Sequence, residues 1–178
     1  MTGSSSNPYF DEMKLAMSRL AADPRTVFLY QNYGRVSWTL VDVPESKKIE
    51  LPVIEDAQMG FATGMALAGF VPVSCYVRWP FMLLAANQIV NHLDKLEQMS
   101  HGGYKPKVII RVGVGSTKPL DPGCQSTGDY TAAFRCMLTN VDIVTLREPE
   151  DIVPAYAKAL RSERSTIVVE YGNKYEES

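Results

Sequence analysis

An α/β fold, with a mostly parallel central sheet and helices on both faces, is what this sequence of 178 residues predicts. Three observations carry that expectation. Short runs rich in β-branched and apolar residues recur at 27–30, 49–54, 70–77, 108–112, 142–146 and 166–171. Stretches of helical character alternate with them, the longest running to nineteen residues, 81–99. The strand-like runs are apolar with little polar alternation, as expected of strands buried on both faces.

Taken in order, residues 1–8 are expected to form a flexible tail ahead of a single domain covering 9–178. Asn7-Pro8 supplies a helix cap and a first-turn proline, and Met13, Met17 and Leu20 follow at helical spacing until Asp23-Pro24 stops the run. A strand is expected at 27–30. Residues 32–48 show no periodicity and read as a long connection, followed by a strand at 49–54. Asp56–Ala68 is a helix of small residues, and Phe70–Val77 a strand. Phe81–Met99 reads as one long helix with Leu83, Ala86, Ile89 or Val90, Leu93 and Leu96 on one face. A strand at 108–112 leads into a Gly/Pro loop from Gly113 to Cys124. A helix at 129–137, a strand at 142–146, a helix at 149–161 and a strand at 166–171 complete the order.

Composition narrows the function. A hydrophobic fraction of 46% and a charged fraction of 21% describe a globular chain. A net charge of −2 with a pI near 5.7 and no polybasic run disfavours nucleic acid or an anionic membrane as partner. No secretory signal architecture or membrane-length apolar run is present. Cys75, Cys124 and Cys136 lack metal-ligand spacing and read as reduced thiols, so a cytoplasmic location is expected.

Several local signals fail on chemistry. The run from Gly113 to Lys118 (GVGSTK) follows a strand, but a phosphate loop needs its lysine before the Ser/Thr and a helix starting at once. Pro119 and Pro122 keep this chain extended. His92 and His101, the two histidines, sit in no ligand pattern, so no metal site is expected. There is no Gly-x-Ser-x-Gly elbow, and no neighbouring base marks Cys124 as a nucleophile.

The segment from Leu51 to Gly69 (LPVIEDAQMGFATGMALAG) resembles the pyrimidine-binding domain of the transketolase superfamily of thiamine-diphosphate enzymes. The run from Asn87 to Gly103 (NQIVNHLDKLEQMSHGG) and the ending Thr166–Tyr171 (TIVVEY) look most like the amino-terminal domain of 2-oxo acid dehydrogenase E1 beta subunits. The likeness extends from about residue 9 to 175. It implies the three-layer thiamine-diphosphate-binding fold and a thiamine diphosphate cofactor.

By that resemblance the cofactor-activating glutamate is Glu55, whose carboxyl group would share a proton with the pyrimidine N1′ from a dry site. Read from the residues alone, Glu55 is first of all a carboxylate favouring a helix amino terminus through the dipole. The resemblance also makes Phe81, 26 residues further on, the ring that stacks on the aminopyrimidine; alone, it reads as a core or first-turn residue. Gly60 and Gly64 would permit close helix packing, either across a subunit interface or within the chain.

Two departures bear on chemistry. The active-site histidine of E1 beta subunits falls on Ser126, which supplies no imidazole chemistry but can hydrogen-bond a substrate. A glutamine-type neighbour beyond the stacking aromatic is Leu84 here. The Gly-Asp-Gly of the diphosphate-binding half is also absent, Gly128-Asp129 being followed by Tyr130.

The expectation is therefore a split enzyme of 2-oxo acid or ketose chemistry. A separate diphosphate-binding subunit would hold Mg2+, and the assembly would be a heterotetramer. Transketolase-type C2 transfer is the nearest alternative, and a non-catalytic subunit completing another thiamine enzyme is a third.

Overall fold

The computed structural model describes residues 7–176. The sheet has six strands: β1 (Thr26–Tyr30), β2 (Lys48–Glu50), β3 (Val71–Tyr76), β4 (Ile109–Val114), β5 (Val141–Leu146) and β6 (Ser165–Tyr171). Every pairing is parallel, in the order β2-β1-β3-β4-β6-β5. Parallel neighbours require crossovers, and the helices supply them: α1 (Pro8–Ala21), α2 (Gly34–Thr39), α3 (Glu55–Leu67), α4 (Trp79–Met82), α5 (Leu96–Met99), α6 (Thr131–Met137) and α7 (Pro149–Arg161).

Side-chain alternation along the strands builds two cores. Phe28, Val73, Cys75, Ile109 and Val168 face α1, α2 and α7, meeting Met13, Met17, Val36, Ile152 and Tyr156. Leu29, Tyr76, Ile110, Val112, Ile167 and Val169 face the other way onto Met59, Ala62, Trp79, Met82, Ile89 and Phe134. The expected α/β fold covered on both faces is the one observed. Asn7 caps α1 by accepting from the Phe10 backbone N–H at 2.8 Å, and Pro8 opens that helix. The rest of the expected tail lies outside the described residues.

Three segments differ from expectation, each for a local reason. The connection at 32–48 contains α2 and a 3-10 turn at Glu45–Lys47, too short for a periodic signal. The strand expected at 49–54 pairs only over Lys48–Glu50, since Pro52 has no N–H to donate and β2 is an edge strand. The helix expected at 81–99 is segmented: α4, a 3-10 turn at Leu83–Ala85, a π turn at Gln88–Leu93, then α5. The tight and wide turns change the helical phase. Met82, Ala85, Ile89 and Leu93 are buried as a result, and Leu83, expected on the core face, is exposed.

Behind this segmented helix, the buried Asp94 side chain ties it to the start of β5. Its carboxylate accepts from the backbone N–H groups of Thr139 (2.9 Å), Asn140 (2.6 Å) and Val141 (3.1 Å), and from Lys95 Nζ (2.6 Å). Burial pushes the carboxyl group up, but the hydrogen bonds from Lys95, Asn140 and Thr139 outweigh it and hold Asp94 below its ordinary range. A depressed carboxylate stabilises the fold above its unfolded value of about 3.9, and that stabilisation is lost as pH falls through the folded value. Asp94→Asn is expected to cost about 1–3 kcal/mol at pH 7. Its deficit against the parent should shrink on acidification, as read from urea midpoints at neutral pH and on the acid side.

Candidate active site

Ligands of open parallel sheets bind beyond the carboxyl ends of the strands, where the strand order reverses. Here that point lies between β1, whose chain turns out to β2, and β3 on its other side. Gln31 follows β1 directly. The chain leaves the sheet at Leu51, whose N–H still bonds the Tyr30 carbonyl at 2.8 Å, and turns through Pro52 to begin α3. Glu55 is therefore delivered to the end of β1 as the first residue of α3.

The Glu55 side chain is 2% exposed. Gln31 Nε2 donates to its Oε1 at 3.3 Å, while its Oε2 has no partner among the described residues. The main chain around it is held from β3. Tyr76 Oη donates to the Glu55 carbonyl at 3.3 Å, and Gln58, one turn on, donates to Ser74 Oγ (3.1 Å) and the Cys75 carbonyl (3.0 Å). Adjacent Asp56 is exposed and suffices as an acidic residue in the first turn. Burial of Glu55, and its bond to Gln31 rather than to its own helix, exceed what a helix-end charge requires.

Phe81 lies on α4, which follows β3. Trp79 and Met82 occupy the core positions of that turn, and Trp79 packs against Phe134 at a ring distance of 4.9 Å. Phe81, between them, is turned out and is 41% exposed. Leu84 is exposed beside it. Ser126 ends a 3-10 turn, Cys124–Ser126, in the loop after β4. It is half-buried, its carbonyl accepts from Arg78 Nη1 at 3.4 Å, and its hydroxyl has no partner among the described residues. Gly115 fixes this loop, because a Cβ there would run into the Ser126 carbonyl.

The carboxyl edge thus carries all three residues singled out from the sequence. α4 packs against both α3 and the Cys124–Ser126 turn, although no hydrogen bond or ring contact links the three side chains directly. That edge offers a ligand one carboxylate oxygen free of partners among the described residues and one exposed aromatic ring. No cluster of three metal-ligating side chains occurs among the described residues.

Gln31 and Arg78 had no sequence signal. Arg111 and Glu170 did, as charges inside otherwise apolar strands, and were not singled out. They form a buried pair, Nε–Oε1 at 2.5 Å and Nη2–Oε2 at 3.0 Å.

A six-stranded parallel sheet in this order, with helices on both faces, is a fold this chain shares with transketolases. The resemblance read from the sequence holds in the fold. A split-gene transketolase solved as an inactive beta4 tetramer superposes with a TM-score of 0.73 at 16% identity, over 92% of this chain and 51% of that one. Transketolase from Campylobacter jejuni gives 0.68 at 18% identity, over 90% and 25%.

No family model matches the chain. In sequence it is similar to pyruvate dehydrogenase E1 component subunits beta. The subunit from Gracilaria tenuistipitata var. liui is 28% identical over 123 residues, covering 69% of this chain and 37% of that one. The subunit from Rickettsia conorii is 26% identical over 152 residues, covering 83% and 46%. The chain therefore spans less than half the length of these relatives. Among the described residues no helix is long and apolar enough to cross a membrane.

Proposed function

We propose that these residues form the pyrimidine-binding half of a thiamine-diphosphate-dependent enzyme, with Glu55 activating the cofactor and Phe81 stacking on its aminopyrimidine. The observation that carries this reading is the buried Glu55 carboxylate, one oxygen held by Gln31 and the other free. Thiamine diphosphate, when bound, supplies a nucleophilic carbon for attack on a carbonyl and an electron sink for cleavage of the adjacent bond. The chain's own residues do the rest. Glu55 Oε2 holds a proton against the ring nitrogen, and the Gln31 amide fixes the direction of the other oxygen. Phe81 sets the ring plane, and the Ser126 hydroxyl is available to a substrate.

The likeness to E1 beta subunits and to a split-gene transketolase supports a second subunit for holding the diphosphate and Mg2+. Both tasks are assigned to a separate diphosphate-binding subunit, so that the cofactor bridges the two in a cytoplasmic heterotetramer. The E1 beta likeness supports 2-oxo acid decarboxylation as the reaction. Transketolase-type C2 transfer is the second reading, supported by the fold likeness to the split-gene transketolase. Co-expression with a diphosphate-binding subunit, then assay with thiamine diphosphate and Mg2+, tests both. Release of CO2 from 2-oxo acids is expected; fragment transfer from ketose phosphates would select the second reading. Absence of either with a folded complex would leave only a non-catalytic subunit.

Self-association is assigned to the outer face of α3. A Cβ at Gly64 would meet nothing within 4 Å of this chain, so no contact inside it requires that glycine. Phe61 and Phe70 stand exposed on either side of the groove that Gly60 and Gly64 line. Phe61→Asp is expected to reduce the sedimenting mass toward that of one 19.8 kDa copy. An unchanged mass would remove α3 from the interface.

A further inference from the structure

The carboxyl edge of the sheet has a second opening, on the side of α1 and α2. A cavity of about 690 Å³ lies there, a size suited to a small organic molecule. Glu55, Phe81 and Ser126 do not line it. Its charged lining is Arg35, Arg78 and Arg111 with Glu170 and Glu176.

Two of the three arginines are neutralised. Arg111 is clasped by Glu170 through two hydrogen bonds. Arg35 is paired with Glu176 and lies over the Tyr175 ring, 5.5 Å from its centre. Arg78 is different. It is half-buried, its one hydrogen bond is the 3.4 Å contact to the Ser126 carbonyl, and no carboxylate reaches it among the described residues. Most of its five N–H donors are unused. Burial, and then the nearby Arg78 charge, lower the hold of Arg35 on its proton even with Glu170 pulling the other way. Arg78 therefore adds an uncompensated positive charge at the cavity wall.

The remaining walls suit an organic anion. At the base, a Cβ on Gly113 would lie 2.7 Å from the Val77 carbonyl, so the ends of β3 and β4 touch through bare backbone. At the rim, the exposed rings of Tyr33 and Trp38 offer flat apolar surface. One unpaired guanidinium matches one negative charge, which favours a carboxylate over a doubly charged phosphate monoester. Its planar fork can take both oxygens at once.

We propose that Arg78 binds the carboxylate of a small organic acid in this cavity. On the proposed function above, that acid is the 2-oxo acid substrate; the binding itself needs neither cofactor nor partner. Arg78 immediately precedes α4, the element that carries Phe81.

The test is titration of pyruvate, and separately of glycerol 1-phosphate, into the 15N-labelled chain with no thiamine diphosphate present. Saturable shifts of the Gly113 and Gly115 N–H groups and of Arg78 Nε–H are expected with pyruvate, at lower concentration than with the phosphate ester. Arg78→Gln should weaken pyruvate binding about tenfold, and Arg78→Lys should lose less. Unchanged resonances in β5 would show that both variants fold. Saturation by the phosphate ester before pyruvate, equal pyruvate binding in parent and variants, or no saturable shift at all would each overturn the assignment. Because cofactor is absent, these outcomes are read independently of whether the thiamine chemistry is correct.

Discussion

Glu170→Gln is expected to cost about 3–5 kcal/mol of folding stability, because it leaves Arg111 charged in the middle of a sheet without its counter-charge. Arg111 is 0% exposed. It stands opposite Cys75 and Val168 in the parallel register, while Glu170 stands opposite Gly113, so both side chains rise on the α1 and α7 face. Burial alone would weaken the hold of the guanidinium on its proton. The charge of Glu170 and the hydrogen bonds to it raise it well above its ordinary value instead. The network extends from the pair. Arg111 Nη1 donates to Thr39 Oγ1 at 2.6 Å, tying down α2, and Nη2 donates to the Tyr175 hydroxyl at 3.3 Å, which itself donates to Glu170.

A glutamine preserves the shape and part of the hydrogen bonding but none of the charge. The control is the double change Arg111→Met with Glu170→Leu, which removes both charges and keeps the volume apolar. Such replacements are commonly neutral or stabilising. In guanidinium chloride unfolding, a large loss for Glu170→Gln with a small one for the double variant would assign the cost to the unpaired charge. Equal losses would assign it to packing instead, and the pair would then be no more than a space-filling contact.

This pair also marks where sequence reading reached its limit. Val108–Val112 and Thr166–Tyr171 were legible as strands because their apolar runs dominate, and the same runs hid the one charge in each. A charged residue in a strand covered on both faces must find a partner on a neighbouring strand, but which strands are neighbours is not local information. The crossover that brings β6 between β4 and β5 decides it.

Elements governed by local chemistry, such as α7 starting at Pro149 and α1 capped by Asn7, were fully legible. The segmentation of 81–99 was not, since its apolar spacing fits one continuous helix until the tight and wide turns are known. At the candidate site, Glu55 and Phe81 rest on the resemblance alone. Gln31 was not legible, since a glutamine in a connection carries no signal until the fold sets it beside a carboxylate.

Glu55→Gln separates the two meanings of that carboxylate. A charge serving only the amino terminus of α3 would be worth about 0.3–1 kcal/mol, and its loss would leave any turnover intact. The site is otherwise arranged. Glu55 is 2% exposed, its Oε2 is unpartnered, and exposed Asp56 already supplies the helix end with a negative charge. Glu55 Oε2 has no partner to lose among the described residues, so a neutral amide of the same shape should leave the fold about equally stable. On the proposed function, the amide could not accept and return a proton at the cofactor's ring nitrogen, and general acid–base catalysis commonly contributes about 10²–10⁴-fold. Glu55→Gln is therefore expected to lower the turnover of the reconstituted enzyme by that order while its unfolding midpoint holds. The helix-end reading predicts the opposite pair of results, a lower midpoint with turnover retained. Measuring both quantities on one preparation decides between them, because a loss of folded protein cannot lower the rate while the unfolding midpoint holds.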